Sequence, residues 1–96
     1  MARKTTDDLL IQLAEREIQI PAGSRWIHFK DKKSEHPYVV LNLALEEESE
    51  SVVVVYRRED MPKTFIWTRP ALGEKGWLSS VEIEGKIFDR FKRIDI

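Results

Sequence analysis

Trp67 and Arg69 stand two residues apart in the stretch TFIWTRP. In an extended strand that spacing sends both side chains to one face, where an indole and a guanidinium together can hold a planar or anionic group. The competing reading is a core tryptophan beside an arginine salt-bridged to one of the chain's many acids. Trp26, His28 and Lys30 repeat the spacing in RWIHFK and form a second stripe of aromatic and basic side chains. If the two strands are neighbours, the stripes merge into one patch. Tyr56, which follows the valine run 52–55, is counted with them as a ligand-binding residue.

His28 is the well-placed side chain that titrates near neutrality, and it is the first candidate for a general base or a pH-sensitive contact. The ordinary alternative is a packed or solvent-facing ring. His36 lies in a loop beside Pro37. Two histidines separated by a flexible loop, with no cysteine and no helical His-x-x-x-His pair, make a poor metal site, so neither metal nor cofactor is expected. Glu82 and Glu84 share a strand face, but they alternate with Val81 and Ile83 as the wet side of a half-buried strand does. There is no GxSxG nucleophile turn, no phosphate-cradling glycine loop and no dinucleotide fingerprint. The residues do not support catalysis.

The elements that must position these side chains can be read in order. Thr5 and Thr6 before Asp7 and Asp8 resemble a helix start, and Leu9, Leu10, Leu13 and Ala14 follow helical spacing, which predicts a helix over about 6–19. Pro21-Ala22-Gly23-Ser24 stops it. In Arg25–Lys30, Ile27 and Phe29 are expected on the core face, opposite Trp26, His28 and Lys30. Tyr38–Leu45 alternates with Val39, Leu41, Leu43 and Leu45 on one side and Tyr38, Val40, Asn42 and Ala44 on the other. Glu46–Ser51 is an acidic turn into the valine strand, which favours β structure covered on both faces and is expected to be central. TFIWTR makes a shorter strand closed by Pro70, which lacks the amide a ladder needs. Glu84-Gly85 supplies a tight hairpin turn, and the chain ends in a last short strand. One helix and five or six strands predict a mainly β fold, a small SH3-like antiparallel barrel or curled sheet, with the helix as a lid.

Composition bounds the function. Ninety-six residues, 42% of them hydrophobic, suit one domain over 1–96 with a single modest core, the β part beginning near residue 24. Sixteen basic residues against seventeen acidic ones cancel, so binding to nucleic acid or an anionic surface must be local. The absence of cysteine excludes disulfides, thiolate nucleophiles and thiolate-bound metal, and fits a reducing cytoplasm. The N-terminus has no unbroken apolar core, and no run approaches the ~20 apolar residues of a span, so neither export nor membrane insertion is expected.

The succession Trp26-x-His28-Phe29-Lys30, Tyr38-x-Val40-Leu41, Glu50-x-Val52-Val53-Val54-Val55-Tyr56-Arg57, Trp67-x-Arg69-Pro70, Val81-Glu82-x-Glu84-Gly85-Lys86 and Arg90-Phe91 resembles the Domain of Unknown Function 1653 family. The resemblance covers about Arg25 to Phe91. It departs from the family pattern after Lys30, where Asp31 replaces the usual glycine, and after Pro70. It implies a compact, mainly β domain of small bacterial proteins, and it brings no established activity. The expected function is a non-enzymatic binding module whose aromatic and basic face recognises a protein segment or small anionic ligand. The alternatives are a single-stranded nucleic-acid module, less favoured on net charge, and a small enzyme with His28 as base. An exposed last strand would allow a homodimer.

Overall fold

A computed structural model describes residues 3–96; Met1 and Ala2, with which the expected domain begins, lie outside the described residues. The first element, α1, spans Thr6–Gln19, the predicted range. Thr5 caps it: its hydroxyl accepts from the Asp8 amide at 3.1 Å and its own amide donates to the Asp8 carboxylate at 3.2 Å, which satisfies free donors at the helix start. The face turned inward differs from the expected stripe. Leu9, Gln12, Leu13 and Arg16 are half-buried, while Leu10 and Ala14 point outward. The reason is polar: Gln12 Nε2 donates to the Glu50 carbonyl at 2.7 Å, which rotates the helix toward the acidic turn. Ile20, just past the helix and fully buried, anchors it.

Seven strands follow: β1 (Arg25–His28), β2 (Tyr38–Leu45), β3 (Val52–Arg58), β4 (Trp67–Pro70), β5 (Ser80–Ile83), β6 (Lys86–Asp89) and β7 (Phe91–Arg93). Five form one antiparallel sheet in the order β4-β3-β2-β1-β7, and β5 and β6 form a separate hairpin. The fold is mainly β, as expected, and the five strands do not close into a barrel. The β5–β6 turn is at Glu84-Gly85, both with positive φ (50° and 80°), the conformation a two-residue hairpin requires.

Three strand expectations are corrected. The middle strand is β2, with β3 one place from the edge; only one face of β3 is buried, through Val52, Val54 and Tyr56, while Val53 and Val55 are partly exposed. In β2 the alternation breaks. A register shift between Val40 and Asn42 puts Val40 on the buried side with Tyr38, then Leu43 and Leu45 on that same side. One extra residue in a strand reverses the parity of everything after it, and unbroken alternation in the sequence conceals this. Finally, β4 begins only at Trp67; Phe65 and Ile66 are exposed in the irregular segment before it.

The inner face of the sheet is covered by the chain returning from β4. Trp77 is fully buried there, stacked on Phe91 at 3.8 Å between ring centroids and edge-on to Tyr56 (4.8 Å) and Trp26 (5.7 Å). The approach depends on Gly76, where a Cβ would lie 2.5 Å from the Leu72 carbonyl. The Trp77 amide then reaches the Pro70 carbonyl at 2.8 Å.

Candidate functional site

In an antiparallel sheet, residues directly opposite each other project to the same side. Tyr56 pairs with Trp67 and Val54 with Arg69, so both β4 side chains share the inner face with the core. Trp26 pairs with Tyr38 and His28 with Phe91, which puts Trp26 and His28 on that face too. The shared side of Trp26 and His28 is as the spacing predicts, but it is the core side, opposite to expectation. Trp26 is only 6% exposed, and its indole donates to Ser24 Oγ at 2.8 Å. It therefore belongs to the core and leaves the candidate surface. Ile27 faces the other way but is itself buried, 7% exposed, and with Phe29 and Phe88 it lines a depression on that side.

β1 and β4 are not neighbours; β2 and β3 lie between them. The two stripes therefore do not merge as whole stripes, but curvature brings one member of each, His28 and Arg69, to the same phenyl ring. The sheet bends until Arg69 on β4 lies 5.3 Å from the ring of Phe91 on β7, and the His28 ring is 5.0 Å from the same phenyl group. The result is an open cleft of about 610 Å³ at the end of the inner face, lined by His28, Lys30, Tyr38, Tyr56, Arg58, Arg69 and Phe91 together with the 31–36 loop. Trp67, 52% exposed, lines an adjoining cleft of about 270 Å³ with Met61, and Tyr38, Tyr56 and Arg58 form the wall common to both. Lys30 lies in the turn after β1, not on the strand.

The cleft lining carries more basic side chains, Lys30, Lys32, Lys33, Arg58 and Arg69, than acidic ones, Asp31 and Glu35. Arg69 donates from one terminal nitrogen to the Lys75 carbonyl at 2.8 Å, its Nε is out of water without an acceptor, and no carboxylate among the described residues pairs with it. Arg58 is paired with Asp60 at 2.5 Å, which also meets His36 Nδ1 at 2.8 Å. Asp31 is turned inward, accepting the His36 amide at 2.8 Å and the Glu35 amide at 3.2 Å; the His36 N–H holds its carboxyl below the ordinary value. Burial, followed by the positive charges of Arg69, Lys30 and Arg90, pushes His28 below the usual histidine value. His28 is thus neutral at pH 7, and its Nδ1 accepts the Lys30 amide at 3.2 Å, which leaves the proton on Nε2.

Five of the six predicted residues, His28, Lys30, Tyr56, Trp67 and Arg69, come together around these two clefts, and Trp26 does not. Tyr38, Arg58 and Phe91 escaped the sequence reading. Strand parity placed Tyr38 beside Val40, but its neighbours depend on a register that only pairing reveals. Among the described residues, no helix is long and apolar enough to cross a membrane and no three ligating side chains are grouped to hold a metal.

A small mainly β protein with an open aromatic and basic cleft is therefore the class defined by fold and site. Residues 24–93 match the family described as "Protein of unknown function (DUF1653)", and the chain belongs to that family. No curated protein and no solved structure matches it.

Proposed function

We propose that the chain is an SH3-like binding module, not an enzyme, which uses the open end of its inner face to recognise an anionic partner. The observation that carries this reading is Arg69, a guanidinium held against an aromatic ring and free of any carboxylate among the described residues. Arginine in that state offers its remaining terminal N–H groups to an incoming anion without first breaking an internal ion pair. The meeting of β4 and β7 through Arg69 and Phe91 supports the SH3-like comparison. His28, the candidate base, accepts a backbone amide on Nδ1, and no carboxylate among the described residues hydrogen-bonds to its ring, an arrangement suited to holding a ligand through Nε2–H.

The test is an amide chemical-shift titration of labelled protein with inorganic phosphate and, separately, an oligoglutamate peptide at low salt. Shifts grouped at His28, Lys30, Tyr56 and Arg69, and lost in Arg69→Gln, are expected. Shifts spread evenly over exposed lysines, or unchanged in that variant, overturn the reading.

A further inference from the structure

We propose that the anionic partner of this cleft is single-stranded nucleic acid, its phosphates against Arg69 and Lys30 and a base stacked on Trp67. The proposal rests on the binding-module reading above and names its ligand.

Net charge argues against nucleic acid only if charge is evenly spread, and here it is segregated. The helix and the β2–β3 turn, residues 3–20 and 46–51, carry eight acidic against three basic side chains, and the rest of the chain carries thirteen basic against nine acidic. These two acidic segments lie together, since Gln12 bonds the Glu50 carbonyl and Lys4 the Glu50 carboxylate. The cleft lies at the other end of the β2–β3 hairpin, where Tyr38 pairs with Arg58. The cleft itself has a local basic excess, with Lys30, Lys32, Lys33, Arg58 and Arg69 in its lining against Asp31 and Glu35. Over distances comparable to the screening length, about 8–10 Å, a polyanion responds to that excess and not to the total.

The paired clefts match the alternation of a nucleic-acid strand. One is basic, through Arg69 and Lys30; the other is aromatic, through Trp67, and Tyr38 and Tyr56 stand between them. Among the described residues no ring packs on Trp67, whereas Trp26 and Trp77 are held edge-on and face-on in the core. An exposed indole beside cations is the arrangement that stacks a base while phosphates are neutralised. A simple anion leaves Trp67 unused. A peptide adding to the sheet edge finds little backbone to pair with on β4: Pro70 has no amide, and its carbonyl is taken by Trp77.

The experiment titrates the full chain with oligouridylate and oligothymidylate of about twelve nucleotides, within the span one small β domain covers. An oligoglutamate of equal length serves as the protein-like polyanion, and both salt conditions, low and physiological, are used. Expected are quenching of Trp67 fluorescence by the oligonucleotides, shifts at His28, Lys30 and Arg69, and affinity that falls with salt. Trp67→Ala lowers affinity about tenfold and Trp67→Phe restores most of it, as loss and recovery of one stacked base require. No oligonucleotide binding at low salt, or affinity unmoved by Trp67→Ala, overturns the proposal. If oligoglutamate binds the same residues while the oligonucleotides do not, the nucleic-acid ligand fails and the binding module stands. If nothing binds the cleft, both fail.

Discussion

The inner face of the sheet has two ends that use the same residue types for opposite purposes. At one end Trp26 packs edge-on against Trp77, its indole N–H satisfied by Ser24. At the other, Trp67 is half in solvent beside Arg58 and Met61. Both tryptophans lie on short strands and on the same side of the sheet. The difference lies in what crosses over them. The return through Gly76 and Trp77, with Ile20 beyond the helix, covers the first end, and nothing among the described residues covers the second. A side chain's parity within a strand selects its face, and its position along the sheet then decides whether that face is core or cleft.

This contrast can be broken at the packed end first. Trp77→Ala removes the ring against which Phe91, Tyr56 and Trp26 all pack, and a loss of about 3–5 kcal/mol is expected in a urea-unfolding measurement. Gly76→Ala, which forces a methyl group against the Leu72 backbone, is expected to cost about 1–3 kcal/mol by overpacking. A fully stable Gly76→Ala protein would show that the loop relaxes freely, and that Trp77 is not held by it.

A smaller effect is expected at the boundary between the two ends. The folded state keeps His28 below the ordinary value of 6.5, so as pH falls through that value the unfolded chain takes up the proton first and the folded state loses stability. His28→Gln removes this component, and chemical denaturation near pH 7 and pH 5 measures the difference. A bound anion opposes the field of Arg69 and Lys30 and raises the His28 value, an upward movement visible in its ring proton shifts. The smallest effect belongs to the open end. Trp67→Ala changes stability by no more than about 0.5 kcal/mol while ligand affinity drops, the reverse of Trp77→Ala.

Much of this arrangement is legible in the residues. Thr5 and Asp8 mark the helix start, the Glu84-Gly85 pair marks a hairpin, and the two-residue spacing of Trp67 and Arg69 places them on one face. These are local features, set by capping, by φ preference and by strand geometry, so a few neighbouring residues suffice. The rotation of α1 is not legible, because it follows from a glutamine reaching a carbonyl 38 residues away in sequence.

The sequence by itself determined the element types, the family pattern and the residue types from which a cleft can be built. Only the tertiary structure decided that Trp26 is core and Trp67 is surface, that the β2 bulge reverses the inward side, and that Arg69 and His28 meet although their strands are separated by two others. Each of these outcomes depends on register, curvature and the path of a returning loop, which arise from contacts between distant segments and leave no periodic trace in the chain.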